Sequence, residues 1–268
     1  MFTFSEEHTL YIKQLKKERR IILFGKVFLF IIFLSFWEIL AQKEILNTFL
    51  YSSPSKILST IKTLLINGQL GKHIWITTYE VGISFLLSSI GGIFIAFLLW
   101  RFEKLAKILD PYITILNSLP KVALGPLIII WVGADIHSII CMALLISIFT
   151  TIISIYTSFI STPMVYLILF KSLHASSIQT FWKLILPYNI ENIIAALKVN
   201  ISMSLVGVIM GELLVSKKGL GYLIMYGSQI FQLDLVITSI FILGVLSYIM
   251  YIIIDYVQIL LKKKEKYN

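Results

Sequence analysis

The sequence predicts an all-α polytopic membrane protein with about six transmembrane helices and with both termini in the cytoplasm. Three observations lead to this prediction: an excess of apolar residues, apolar runs of membrane length, and Lys and Arg residues that favour alternate connecting segments. Of the 268 residues, 58% are hydrophobic and 14% are charged, whereas a soluble domain carries roughly 25% charged residues. Most apolar side chains therefore have to face lipid.

The apolar runs divide the chain into segments, because a bilayer core requires about 20 apolar residues per helix. The predicted order is a basic cytoplasmic N-terminus at 1–20, a first transmembrane helix at 21–42, and an external segment with a surface helix at 43–73. A core of five further transmembrane helices follows at 74–261, with a cytoplasmic segment at 161–187, and then a basic cytoplasmic tail at 262–268. The predicted core helices are 74–100, 112–133, 137–160, 189–215 and 234–261, and 101–111 is predicted to be an aqueous turn.

Lys and Arg residues set the predicted orientation. With the N-terminus in the cytoplasm, fifteen of the 23 Lys and Arg residues lie on the cytoplasmic side and six lie outside. This is the bias expected of membrane proteins, so the net charge of +9 is interpreted as a topology signal and not as a sign of nucleic-acid binding. The segment 161–187 then lies in the cytoplasm.

No pattern in the sequence predicts catalysis. The Gly-x-x-x-x-Gly-Lys-Ser/Thr signature of ATP-binding loops is absent, so we do not expect this chain to hydrolyse ATP. The four His residues are scattered at positions 8, 73, 137 and 174, and Cys141 is the single cysteine. The prediction is therefore no catalytic site, no metal site and no cofactor bound by this chain.

A short mixed segment at 172–186 interrupts the apolar runs and is predicted to form one amphipathic helix. Its two faces separate at helical spacing, and Pro187 is predicted to mark the break before the next span. The apolar face comprises Ile178, Phe181, Trp182 and Ile185, and the polar face comprises Ser176, Gln179, Thr180 and Lys183. The pattern alone fits either a helix lying in the lipid headgroups or a helix that docks a cytoplasmic partner.

The stretch "LHASSIQTFWKLILP" resembles the cytoplasmic coupling-loop signature of ABC-importer permeases, and Leu184–Pro187 matches the end of that signature. Three further stretches are similar to the same family: "SSPSKILSTI", "DPYITILNSLPKVALGPLIIIWVG" and "GELLVSKKGLGYLI". The resemblance runs from about Ser53 through nearly the whole remaining chain. It points to the branch that imports nitrate, sulfonates, taurine and related solutes, in which some members serve uptake of pyrimidines or thiamine precursors.

The resemblance implies a type I ABC importer permease fold and a multi-pass location in a bacterial cell membrane. It implies a subunit that forms the translocation pathway and that works with a separate ABC ATPase, where ATP is used. The other implied partners are an extracytoplasmic substrate-binding protein and a second permease chain, in a homodimer or a heterodimer. The resemblance leaves the solute open.

The resemblance also implies which residues contact the ATPase. They are His174, Ala175, Ser176, Gln179, Phe181, Trp182, Leu186 and Pro187. The chain departs from the signature in its first half. Ile168 stands at the position of the signature Glu, Leu169 and Phe170 stand at its two Ala positions, and His174 stands at its Gly. A Gly there permits a positive φ, so coupling is expected to be altered or the ATPase adapted.

Pathway or gate residues are candidates because polar and helix-breaking residues are unusual within spans. The candidates are Pro120, Pro126, Lys198, Glu212, Gly219 and Gly221. The two prolines either shape the pathway or simply kink a helix. Lys198 is either in the pathway or in a packing or inter-subunit contact. Glu212 is expected to be a gate or to contact the Gly219–Gly221 turn.

Two roles are open for Glu80, one in the pathway and one as an anchor at the outer membrane interface. The family often has a basic residue near this position.

The rival function for the whole protein is an ion-coupled secondary carrier, or a degenerate permease without ATP coupling. A carrier requires acidic residues near the middle of the membrane. Glu38, Glu80 and Glu212 all fall near predicted span ends, which weighs against a carrier.

Overall fold

The computed structural model describes residues 6–265 and is helical almost throughout that range. The helices are joined by short turns, and the longest run for most of the thickness of a bilayer or more. Their bounds are α1 Glu6–Gln42, α2 Thr48–Tyr51, α3 Pro54–Ile66, α4 Gln69–Arg101, α5 Glu103–Ser118, α6 Gly125–Val132, α7 Ile136–Ile160, α8 Met164–Ser172, α9 Ser177–Thr180, α10 Leu186–Tyr188, α11 Ile190–Val215, α12 Leu220–Gln229 and α13 Leu233–Glu265. The outermost parts of the predicted basic N-terminus and tail, 1–5 and 266–268, lie outside the described residues.

Five helices of the described range are long and apolar enough to cross a membrane, namely α1, α4, α7, α11 and α13. A sixth span is formed if α5 is taken together with the pair of short helices at Lys121–Val132, although the two halves meet at 83°. The predicted count of about six spans is therefore confirmed. The break lies at Leu119–Pro120, where a 3₁₀ turn over Lys121–Leu124 leads into α6.

The predicted aqueous turn at 101–111 is wrong, because α5 begins at Glu103 and continues through Pro111. Apolar residues at four-residue spacing give this helix a face to bury. Leu105, Leu109 and Ile113 pack against a small cluster formed by Leu99, Ala106 and Ile152. This contact with α4 and α7 outweighs the one backbone hydrogen bond that a proline removes.

The first helix stands apart from the bundle. The apolar window of its candidate span, Lys13–Gln42, has no buried residues, which is the pattern of a helix that faces lipid all round. Its C-terminal end is fixed through Glu38, whose Oε2 accepts a hydrogen bond from the backbone N–H of Ser55 at 3.0 Å. That bond ties α1 to the first turn of α3.

The centre of the molecule is a close packing of α4, α7 and α11. Small residues let the backbones approach, since a methyl group at Gly211 would lie 2.9 Å from Cα of Ile139. Polar side chains add cross-links: Asn200 Oδ1 accepts from Ser88 Oγ at 2.9 Å, and Asn200 Nδ2 donates to Ser89 Oγ at 2.8 Å. The three helices therefore form a rigid unit whose ends carry the two sites described below.

Candidate functional site

The cytoplasmic loop predicted at 161–187 folds as two helical arms joined by a tight turn. The first arm, α8, ends at Ser172, and His174 then adopts a left-handed backbone with φ of 53°. The turn is closed by hydrogen bonds from the N–H of His174 to Lys171 O and from the N–H of Ala175 to Phe170 O, both at 3.0 Å. This is the helix ending that usually has Gly at the left-handed position, so His174 occupies the conformation that the resemblance to the coupling signature implies.

The second arm begins at a capping box. Gln179 N–H donates to Ser176 Oγ at 3.2 Å, and Ser176 N–H donates to Gln179 Oε1 at 2.8 Å. The box satisfies backbone donors at the helix start. The predicted single helix over 172–186 is therefore wrong, because the left-handed residue at His174 separates two shorter helices.

The second arm contains a π turn over Phe181–Ile185 and buries only part of the predicted apolar face. The N–H of Leu186 bonds to Phe181 O, one residue further back than in an α-helix. Phe181, Leu184 and Ile185 are buried, whereas Ile178 and Trp182 are 61% and 63% exposed. The predicted apolar face is thus correct for Phe181 and Ile185 and wrong for Ile178 and Trp182.

Phe181 anchors the loop to the membrane helices. Its ring lies edge-on to Phe97 with 4.5 Å between centroids and edge-on to Phe159 at 5.3 Å, and Trp100 lies at 5.4 Å. These partners belong to the inner ends of α4 and α7, and edge-to-face aromatic pairs hold defined geometry. Phe181 therefore holds the second arm against both α4 and α7.

The loop is also closed where it enters α11. Asn189 is fully buried, and its Nδ2 donates to Thr162 Oγ1 at 2.8 Å and to Ile185 O at 2.9 Å. Pro187 does not mark the break, contrary to the prediction. Helical backbone continues through it from the π turn into α10, which ends at Tyr188, and the chain leaves helical geometry at Asn189.

A second polar site lies at the opposite end of the bundle, where Glu212 is 1% exposed. Thr77 Oγ1 donates to Glu212 Oε1 at 2.6 Å, and the N–H of Gly221 donates to Glu212 Oε2 at 2.5 Å. The N–H of Leu220 in turn donates to Thr77 Oγ1 at 2.8 Å. These bonds join α4, α11 and the start of α12, so Glu212 contacts the Gly219–Gly221 turn.

The turn itself depends on Gly219. Its φ is 105°, and a methyl group there would overlap the carboxylate of Glu212. The N–H of Gly219 donates to His73 Nδ1 at 2.9 Å. Only glycine combines this backbone conformation with so close an approach.

Glu80 belongs to the same outer site. It is 2% exposed, its carboxyl group lies in hydrogen-bonding contact with that of Glu212, and its Oε2 is buried without a hydrogen-bond donor among the described residues. Burial inside the bundle excludes the predicted alternative of anchoring at the membrane interface. The contribution of His73 was missed, although His73, Thr77 and Glu80 share one helix face at spacings of four and three residues.

The remaining candidates lie elsewhere. Pro120 and Pro126 flank the 3₁₀ turn at the broken span. Lys198 pairs with Asp255 at 2.5 Å and with Gln258 Oε1 at 2.8 Å, which joins α11 to α13 within the chain. The structure therefore brings Glu212, Gly219 and Gly221 together and leaves the prolines and Lys198 at separate places.

A cavity of about 880 Å³ opens beside the outer site. Its wall is formed by α3, α4, α12 and the start of α13, and His73 belongs both to this wall and to the outer site. The charged residues of the wall are Lys72, Lys217, Lys218 and Asp234. His73 thus lies between the cavity and the turn that contacts Glu212.

The class defined by this fold is a polytopic membrane protein, with a broken span beside a tight bundle and a helical loop anchored beneath it. Residues 88–266 match the family described as "Binding-protein-dependent transport system inner membrane component". The chain belongs to this family and is a multi-pass permease component of an ABC importer in the cell membrane.

Individual relatives agree with the family. The chain is 26% identical over 216 residues to the putative aliphatic sulfonates transport permease protein SsuC of Bacillus subtilis, covering 81% of this chain and 78% of SsuC. It is 27% identical over 194 residues to the formylaminopyrimidine transport permease protein ThiX of Halalkalibacterium halodurans, covering 72% and 76%. A solved structure of the methionine ABC transporter MetNI, in inward facing conformations, matches with a TM-score of 0.63 at 17% identity, over 72% of this chain and 94% of that chain. The likeness confirms the importer permease fold.

Replacing His174 tests the left-handed turn. We expect His174→Val to lower the free energy of unfolding by about 1–3 kcal/mol relative to His174→Gly, because a β-branched residue at positive φ is strained. Thermal unfolding of the two purified variants measures the difference. Lys171→Val, at an exposed helical position, should change stability by no more than about 0.5 kcal/mol. Equal unfolding temperatures for His174→Val and His174→Gly would contradict the turn.

Proposed function

We propose that this permease binds an ABC ATPase through the loop at 161–189 and that ATP bound by that partner drives the pathway between inward-open and outward-open states. The observation that carries the proposal is the opposite burial of two adjacent aromatic residues: Phe181 is buried among aromatic rings, and Trp182 is 63% exposed. Phe181 holds the loop to α4 and α7, and Trp182 is free to contact a partner protein. An exposed Trp flanked by Ile178 is the kind of anchor that dominates protein interfaces.

The loop is suited to act as a lever. Its two ends are joined through the Asn189–Thr162 hydrogen bond, its turn is fixed at His174, and its second arm is capped at Ser176. A docked ATPase would then move the loop as one piece, and the aromatic contacts of Phe181 would carry the movement into the bundle. Movement of packed elements as rigid bodies is a common means of switching.

The chain itself is proposed to bind no cofactor and to perform no covalent step. ATP is used by the partner, an extracytoplasmic substrate-binding protein delivers the solute, and a second permease chain completes the pathway. The family is named for dependence on a binding protein, which supports this composition. The bend of 83° at the broken span supports a pathway beside α5 and α6, since irregular backbone at membrane depth is tolerated where it faces protein or water.

The solute is proposed to be a small polar molecule of the kind named for the relatives, an aliphatic sulfonate or a thiamine precursor of the formylaminopyrimidine type. The binding protein is expected to supply much of the choice between them. The external cavity carries three Lys residues and one Asp, and this excess of positive charge favours the sulfonate.

Truncating Trp182 tests the docking surface. We expect Trp182→Ala to weaken binding of the cognate ATPase by about 30-fold, the effect of losing about 2 kcal/mol at an interface anchor. Titration of the purified ATPase onto the permease in nanodiscs measures the affinity. The matched control is Trp75→Ala, since Trp75 is 69% exposed at the other end of the bundle. An unchanged affinity for Trp182→Ala would place the ATPase elsewhere.

Uptake assays test the solute and the energy source together. In cells that express the complete system, we expect accumulation of a labelled aliphatic sulfonate to stop on ATP depletion and to persist when an uncoupler is added with ATP held constant. Uptake of the formylaminopyrimidine alone would overturn the sulfonate choice. Loss of all uptake on uncoupling would favour an ion-coupled carrier.

A further inference from the structure

We propose that Glu80 and Glu212 hold one proton between them and that this shared proton keeps α12 seated against α4 and α11 at the outer end of the bundle. The observation is a contact between two buried carboxyl groups, which are 2% and 1% exposed. Two carboxylate anions in contact repel each other, and a hydrogen bond between them requires a proton. The pair is therefore a proton-binding site.

No cation takes the place of the proton in the described part of the chain. The ion pairs there join Lys56 to Asp234, Lys107 to Glu103 and Lys198 to Asp255, and neither Glu80 nor Glu212 belongs to one. The other titratable groups nearby are His73 and Lys72 on α4, Lys218 in the turn and Tyr222 on α12. His73 is engaged with Gly219, Lys72 and Lys218 are exposed, and the contact from Tyr222 comes from its backbone.

The hydrogen bonds assign the proton to Glu80. Both oxygens of Glu212 already accept, Oε1 from Thr77 and Oε2 from the N–H of Gly221, which is the environment of an ionised carboxylate. Oε2 of Glu80 is buried and receives no bond from any described donor. A buried carboxylate with an unpaired oxygen is costly, a neutral carboxyl group less so, and the O–H of a neutral Glu80 can donate to Glu212.

Loss of the proton should open the outer end. The proton would leave Glu80 for water in the neighbouring cavity, which His73 links to the site, and two adjacent anions would remain. The bonds from the N–H of Gly221 to Glu212 and from the N–H of Leu220 to Thr77 hold the first turn of α12. Repulsion beside them would loosen α12, which forms part of the cavity wall.

The pH dependence of unfolding tests the proton without reference to transport. An isolated Glu loses its proton at about pH 4.3, so above that pH folding takes up one proton and stability falls as the pH rises, until the folded pair itself ionises. We expect the unfolding equilibrium constant of the wild-type chain in detergent to rise about tenfold more per pH unit than that of Glu80→Gln. The amide introduced by this substitution replaces the O–H donor and cannot ionise.

Two further variants make the result specific. Glu80→Lys places a fixed positive charge beside Glu212 and should also lose the extra pH slope, whereas Glu44→Gln, at an exposed residue, should retain the wild-type slope. An equal slope in the wild type and Glu80→Gln would overturn the proposal. Stabilisation by Na⁺ or K⁺ at fixed pH, absent in Glu80→Gln, would assign the site to a cation and overturn it as well.

A second readout rests on the proposed transport function. Wild-type uptake should change with external pH, and uptake by Glu80→Gln should change by less than about twofold over the same range. If the system takes up no solute, the transport proposal fails while the unfolding slope still decides whether the pair holds a proton. If uptake is present and the wild type and Glu80→Gln share one pH profile, the proposal that the shared proton keeps α12 seated fails.

Discussion

The packing of Phe181 between the inner ends of α4 and α7 is the contact that joins the cytoplasmic loop to the membrane bundle. A loop on the cytoplasmic side can influence a membrane bundle only through a rigid connection, and side chains in close contact transmit displacement where flexible chain does not. Phe181 contacts Phe97, Trp100 and Phe159, so it touches both helices at once. In the second arm Phe181 and Ile185 are buried and Trp182 lies outside.

The outer site also joins a peripheral element to the bundle, at the other end of the same helices. Glu212 on α11 and Thr77 on α4 accept hydrogen bonds from backbone N–H groups at the start of α12. Buried polar contacts therefore join α12 to the bundle. Such contacts are strong while complete and costly when one partner is lost. A movement of α4 started at Phe181 would reach this site through the rigid packing of α4, α7 and α11.

Much of the fold follows from the sequence because lipid imposes a length and an apolarity on every span. The helices around 74–100, 137–160 and 189–215 are of this kind. The contact of Glu212 with the Gly219–Gly221 turn was instead expected from the resemblance to the permease family. The π turn could not be predicted, because periodicity of 3.6 residues assumes the α-helical hydrogen bond. The burial of Glu80 depends on how α4 is rotated against α11, a long-range property, and the continuation of α5 through Pro111 depends on packing against Leu99 and Ile152.

The most direct test of the account is to separate docking from coupling at Phe181. Phe181→Ala removes the anchor and leaves Trp182 on the surface, so the assembled transporter should still bind its ATPase within about threefold of the wild-type affinity. Uptake per bound ATPase should fall by more than about tenfold, the effect of losing over about 1.4 kcal/mol of coupling, with Phe181→Leu intermediate. Retained uptake per bound ATPase in Phe181→Ala, or loss of ATPase binding in proportion to uptake, would contradict the account.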